Sequence, residues 1–261
     1  MTRPRVAVVK LASCDGCQLQ LIDAEEALLQ LAEAIEIANF PEASSNMQPG
    51  PYDVTLVEGS VTTQEHIEQL KGIREGSTFL ITIGACATSG GIQALRNGRD
   101  LAEMVRQIYP KPEYIDSLET STPVAEHVKV DLELTGCPID RDELLSTISQ
   151  LLRGSVPRLN MAPVCIECKR RGYTCVLVTR GDPCLGPVTR TGCGAICPAF
   201  ARGCYGCFGP SQPPNTRALA ELFLELGESP SQVRDRFRFI TGSAPVFAEE
   251  AERHNIEEAV R

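Results

Sequence analysis

This 261-residue chain has no tryptophan, three histidines, and aromatic residues at only 5% of its length. The missing tryptophan says little. The scarcity of histidine says more, because His66, His127 and His254 all lie away from the cysteine groups described below, so each reads as a surface or helix residue rather than a ligand. Long apolar runs are absent too. No stretch approaches the roughly 20 apolar residues of a membrane span, and the opening MTRPRVAVVKLASC breaks its short apolar run at Lys10, too early for a secretory signal core. Positive charge is in deficit: 25 Lys and Arg stand against 34 Asp and Glu, a net −9, which disfavours nucleic acid or an anionic membrane as a partner. No repeat of solenoid length interrupts the pattern. The expectation is a soluble, cytoplasmic chain.

What the sequence has in excess is cysteine, twelve in all. With 43% hydrophobic residues the chain can fill a core without covalent staples. In a reducing compartment such thiols bind metal or do redox work.

The first half alternates strand and helix patterns as a parallel α/β sheet does. Strands are expected at 5–11, 36–40, 54–58, 79–83 and 128–135, and helices at 18–34, 66–74, 95–108 and 141–152. The fold class read from this is α/β: a flavodoxin-like, doubly wound parallel sheet over residues 1–155. Residues 156–261 then form a loop-rich, cysteine-rich domain, since 157–215 carry eight cysteines with many Gly and Pro and no sustained apolar period. A helix is expected over 216–226, capped by Asn215 and stopped by Gly227, and the last twenty residues read as a polar surface helix.

Cys14, Cys17, Cys86 and Cys137 each fall just past the carboxyl end of an expected strand. In an open parallel sheet those ends open onto one crevice, so the four thiols converge. Buried small hydrophobes, a thioredoxin-like dithiol in Cys14-x-x-Cys17, a zinc site and a [4Fe–4S] site all remain readings of that set. Gly16, Gly84 and Gly136 beside the cysteines would let backbone N–H groups approach cluster sulfurs. The second group is Cys165, Cys168, Cys175, Cys184, Cys193, Cys197, Cys204 and Cys207, enough for two more sets of four. Its short spacings, with Pro198 directly after Cys197, suit ferredoxin-type clusters, and zinc ribbons are the alternative.

Taken in order, CDGCQ, EGS, GACA, GCP, CLGPVT and the closing Cys-x-x-Cys resemble the small subunit of [NiFe] hydrogenases over roughly residues 5–210. The resemblance is to the cytoplasmic, cofactor-coupled kind: the delta subunit of sulfhydrogenases and its relatives in NAD(P)- and F420-linked enzymes. It implies a proximal [4Fe–4S] cluster on Cys14, Cys17, Cys86 and Cys137, a distal one on Cys165, Cys168, Cys175 and Cys184, and a medial one on Cys193, Cys197, Cys204 and Cys207. The periplasmic members have a histidine among the distal ligands and a proline in the medial site; here Cys165 and Cys197 stand there, so three four-iron clusters are expected. The absence of a twin-arginine leader agrees with a cytoplasmic address. No catalytic residue is expected in this chain, because the resemblance places the Ni–Fe centre on a large-subunit partner. A flavin/iron–sulfur, diaphorase-type subunit would take the electrons.

Two further features have two readings each. Glu58 of the EGS loop serves the subunit interface or proton transfer, or else is a solvated carboxylate or helix cap. Lys169, Arg170 and Arg171 dock an acidic electron-accepting subunit, or form an ordinary solvated face. The functional alternatives to a hydrogenase subunit are a standalone ferredoxin-like carrier and a zinc-stabilised binding module. The related cluster-bearing subunit of respiratory complex I lacks the cysteine-rich tail, so the eight extra cysteines speak against it.

Overall fold

The computed structural model describes residues 3–255. The chain divides into two compact units, one ending at Leu134 and the next beginning at Thr135, so the change of composition near residue 155 falls within the second.

The first unit is built on a wholly parallel five-stranded sheet: β1 (Arg5–Lys10), β2 (Glu36–Asn39), β3 (Tyr52–Glu58), β4 (Ser77–Ile83) and β5 (Leu132–Leu134). The strand order is β2-β1-β3-β4-β5, the doubly wound arrangement expected, with its switch point between β1 and β3. Val6, Val8, Leu56, Leu80 and Ile81 are all buried, as the strands of a parallel sheet covered on both faces require. Between the strands run α1 (Gly16–Ile22), α2 (Glu26–Ala34), α3 (Gln64–Glu75), α4 (Gly84–Ser89) and α5 (Leu101–Ile108). Caps fix two of these starts: Thr63 accepts from the His66 N–H and Asp100 from the Glu103 N–H.

Three elements depart from the sequence pattern. The helix expected over 95–108 begins only at Leu101, behind its Asp100 cap, and residues 92–96 form a separate 3-10 turn. The single helix expected over 18–34 is broken between α1 and α2, where Glu25 takes a φ of +45°. The apolar spacing carries on across this turn, so periodicity alone does not register it. The strand expected over 128–135 shortens to three residues, because the Asp131 side chain takes the Leu80 N–H at 2.9 Å where a longer ladder would have used backbone. Val128 and Val130 pack against the core without joining the sheet.

The second unit starts with α6 (Arg141–Leu152), capped by Asp140. Three short helices punctuate the cysteine-rich loops: α7 (Cys165–Arg170), α8 (Val176–Arg180) and α9 (Ile196–Ala199). It closes with α10 (Thr216–Glu225), α11 (Pro230–Phe237) and α12 (Pro245–Arg253). Asn215 caps α10 as expected, and a Ser229/Gln232 capping box that the apolar pattern does not announce starts α11. Phe223, Phe237 and Phe247 interlock at the centre of this bundle, the last two edge-on at 5.7 Å. The tail expected to be a polar surface helix is therefore partly core: α12 buries Phe247 and Ala251, and with them Glu250, whose carboxylate is held by Thr216, Arg253 and His254. Residues 256–261 of that tail lie outside the described residues.

Phe247→Ala should cost about 3–5 kcal/mol in urea unfolding; a change within about 0.5 kcal/mol would mark a surface position instead. His66 gives a pH test. Burial lowers its pKa below the usual 6.5 while its Nδ1 accepts the Thr62 N–H. The unfolded chain then binds the proton more tightly, so this contribution to stability is complete above about pH 6.5 and is lost as pH falls below it. His66→Gln should flatten the rise in stability between pH 5 and 7.

Candidate functional site

The register of the sheet sets three chain exits side by side, since Lys10 pairs with Glu58 and Glu58 with Ile83. The loops after β1 and β3 are then joined by two backbone bonds, Ala12 N–H to Ser60 O at 3.2 Å and Ser60 N–H to Ala12 O at 2.9 Å. Gly59 makes that junction possible: at a φ of +101°, a Cβ there would lie 2.7 Å from the Leu11 carbonyl carbon. Cys14 emerges exposed in the loop after β1, Cys17 is buried in α1, and Cys86 lies half-buried in α4 after β4. Gln93 ties two of these loops together, accepting from the Cys86 thiol at 3.4 Å and donating to Ala12 O at 2.7 Å. Cys137 is the third residue after β5, exposed at the start of the second unit.

Glu58 is almost fully buried at the end of β3. Its carboxylate accepts from the Cys17 and Gln18 N–H groups at 3.1 and 3.3 Å and from the Gln18 side chain at 2.8 Å. Burial raises its pKa and these three donors oppose the rise. The residue thus acts as a cap on α1, satisfying N–H groups that have no partner within the helix.

In the second unit Cys165, Cys168, Cys175 and Cys184 come close enough to feel one another. Burial raises the Cys168 thiol to about 11, and the charges of Cys165, Cys184 and Cys175, and of Cys193 from the other set, add to the rise. Cys165 is likewise raised by burial first and then by Cys184 and Cys175. The other four form a looser set. Cys207 is pushed up to about 12 by burial and by Cys193, Cys137 and Cys197, whereas Cys204, raised by burial, feels Cys184 as well as Cys207. Backbone N–H groups point at several sulfurs: Cys204 N to Cys184 Sγ at 3.1 Å, Gly206 N to Cys204 Sγ at 3.4 Å, and the Cys137 N–H to Cys207. No disulfide joins any of the twelve cysteines.

The donor set fits a cationic iron–sulfur core. Burial and proximity disfavour the thiolate form here, and a positive metal core would supply the counter-charge that favours it. Two glycines leave room beside the sulfurs. A Cβ on Gly91 would lie 2.6 Å from Cys86 Sγ, and one on Gly186 would lie 3.3 Å from Cys184 Sγ and 3.8 Å from Cys165 Sγ. Neither glycine stands out in the sequence; Gly136 does, and its φ of +148° serves its own turn, where a Cβ would meet Pro138 O at 2.7 Å. Among the described residues, no three or more His, Cys, Asp or Glu gather closely enough to hold a single metal ion. The histidines bond within their own segments, His66 to Thr62, His127 to Thr122 and His254 to Glu250.

Two residues at this site escape sequence reasoning. Arg190, 1% exposed, pairs with Glu143 of α6 and donates to Thr135 Oγ1 at 2.7 Å and Asn160 O at 3.3 Å. Thr135 in turn donates to Phe208 O at 2.7 Å, so one guanidinium links three segments around the cysteines. Glu167 reaches from α7 to the Cys193 loop, accepting from Gly192 N–H at 3.1 Å and Ala195 N–H at 3.0 Å. Of the basic run, Lys169 and Arg170 are exposed in α7, while Arg171 lies over Gly194 and bonds Tyr173.

The profile of the NADH ubiquinone oxidoreductase 20 Kd subunit family matches residues 14–151, the sheet and α6, and ends before the eight-cysteine segment. Individual relatives extend the match over more of the chain. The delta subunit of sulfhydrogenase 2 from Pyrococcus furiosus is 39% identical over 85% of this chain and 93% of its own. A vhu subunit of the F420-non-reducing hydrogenase of Methanocaldococcus jannaschii is 30% identical over 89% of this chain and 91% of its own. Among solved structures, a chain of an NAD+-reducing [NiFe]-hydrogenase superposes with a TM-score of 0.55 at 30% identity, covering 60% of this chain and 94% of its own. The chain belongs to the NADH ubiquinone oxidoreductase 20 Kd subunit family, and within it to the small, or delta, subunits of [NiFe] hydrogenases. It is thus one subunit of an oxidoreductase.

Replacing Arg190 by Met should cost about 3–5 kcal/mol, because Glu143 and the Thr135 hydroxyl lose a buried partner. Chemical denaturation of the purified chain checks this, and a neutral result would remove Arg190 from the framework.

Proposed function

We propose that the chain carries three [4Fe–4S] clusters and relays electrons between the Ni–Fe centre of a large-subunit partner and a flavin/iron–sulfur subunit that reduces NAD(P) or a related carrier in the cytoplasm. The proximal ligands are Cys14, Cys17, Cys86 and Cys137, the distal ligands Cys165, Cys168, Cys175 and Cys184, and the medial ligands Cys193, Cys197, Cys204 and Cys207. The observation that carries this reading is the approach of the Cys165 and Cys184 sulfurs beside Gly186, where one Cβ would lie 3.3 Å from Cys184 Sγ and 3.8 Å from Cys165 Sγ, with Cys168 and Cys175 near enough to raise the thiol pKa values of that set. When bound, such clusters supply one-electron transfer at potentials set by their charge and hydrogen bonds.

The chain's own residues have definable tasks in that relay. The N–H groups of Cys204, Gly206 and Cys137 donate to cysteine sulfurs, withdrawing charge from them and easing reduction. Glu58 anchors the start of α1, and with it Cys17; its three donors favour that role over proton transfer. Between Cys165 and Cys204 six Lys and Arg stand against two acidic residues, in a chain of net −9. This local reversal of sign favours docking of an acidic electron-accepting subunit through Lys169 and Arg170. The nicotinamide acceptor is supported by a 32% identical relative, the delta subunit of the NAD-reducing hydrogenase HoxS of Cupriavidus necator, matched over 58% of this chain and 79% of its own. No helix among the described residues is long and apolar enough to cross a membrane.

The complex purified without oxygen should contain twelve irons in this chain, four for each cubane, with EPR signals of reduced four-iron clusters. Cys197→Ala should lose one iron and give a three-iron signal. A colourless, zinc-bearing chain, or a three-iron signal in the undamaged protein, would contradict the reading. Reversing the charge of Lys169 and Arg170 together should slow electron delivery to the acceptor subunit at low salt and leave hydrogen–proton exchange unchanged.

A further inference from the structure

We infer that Glu167 is a potential-setting residue, which reaches from between Cys165 and Cys168 to hold the Cys193 loop and keep the cluster bound there hard to reduce. The inference rests on the cluster reading of the preceding section. Its geometry is independent of it. Glu167 Oε1 accepts the Gly192 N–H at 3.1 Å, and Oε2 accepts the Ala195 N–H at 3.0 Å while standing 4.0 Å from Cys193 Sγ. One carboxylate therefore brackets Cys193 on both sides. Ala195 has a φ of +54°, a left-handed conformation that side chains with a Cβ avoid, and the bond from its N–H helps hold it there.

Two effects of this carboxylate act in the same direction. It brings negative charge within 4.0 Å of a ligating sulfur, and it competes with that sulfur for the Ala195 N–H, which also points at Cys193. Added negative charge and fewer hydrogen bonds to sulfur both lower a cluster's reduction potential. Arg171 lies nearby over Gly194, yet it is exposed, so water screens it more than it screens the half-buried Glu167. The same residue also spans the two cysteine sets, since it belongs to the α7 turn that carries Cys165 and Cys168. It is a positioning residue, acting through Cys193 and the loop rather than on hydrogen.

The test is a redox titration of the anaerobic complex followed by EPR, with dithionite donating one electron to each cluster, and with iron counted in every sample. Glu167→Gln removes the charge and leaves only one oxygen to accept. It should make one midpoint more positive by about 59 mV, a tenfold shift in a one-electron equilibrium, with the iron content unchanged. Glu167→Asp, which keeps the charge, should stay close to wild type. Unchanged midpoints in Glu167→Gln would overturn the inference, as would an equal shift in Glu167→Asp. Loss of iron in both variants would also overturn it, by assigning Glu167 to assembly instead. A wild-type complex without any iron–sulfur signal would overturn the cluster reading itself, and the iron count separates that failure from the others.

Discussion

The parallel register of β1, β3 and β4 is the constraint on which the first unit's site depends. Because Lys10, Glu58 and Ile83 stand in one row across the sheet, the chain leaves all three strands at one edge. Segments far apart in sequence, with Cys14 and Cys17 on one, Glu58 on the next and Cys86 on the third, are thereby placed together without any contact of their own to bring them there. Local bonds then refine the placement. Glu58 takes the first free N–H groups of α1, Gln93 holds Cys86 to the loop after β1, and Gly59 lets two backbones pass. A one-residue slip in the ladder would turn Glu58 to the other face of the sheet and undo all of these at once.

The second unit is ordered by different means in its two parts. α10, α11 and α12 surround a phenylalanine core of ordinary kind. The loops between residues 160 and 210 have a small apolar centre of Val164, Val176 and Ala195, packed against Cys184 and Cys204 themselves. Their remaining order comes from polar links, chiefly Arg190 and Glu167, and on our account from the iron held by the thiols. Burial and mutual proximity raise the pKa of these thiols, so the empty site keeps its protons, and binding of a cationic core releases them.

Much of this was legible in the sequence, and the pattern of what was missed has a physical cause. The α/β class and the position of cysteines after strands follow from the alternation of strand and helix patterns, which report burial over many residues. The cap at Asn215 follows from a single residue type at a helix start. The break between α1 and α2 left no trace, because a redirecting turn need not disturb apolar spacing. α12 was read as surface because its polar residues outnumber Phe247 and Ala251, although two residues one turn apart suffice to bury one face. Arg190 and Glu167 were missed for another reason: a charged residue in a loop looks solvated until the fold shows what it reaches. Gly91 and Gly186 looked like ordinary loop glycines for the same reason. Family resemblance supplied the partition of the eight later cysteines, which spacing left open.

The most direct test of the central claim, that iron held by cysteine orders the loops of the second unit, is amide hydrogen exchange before and after anaerobic removal of iron from the purified chain. Protection over residues 162–210 should collapse while β1, β3 and β4 and the α10–α12 bundle keep theirs. Protection of 162–210 that survives complete loss of iron would contradict it.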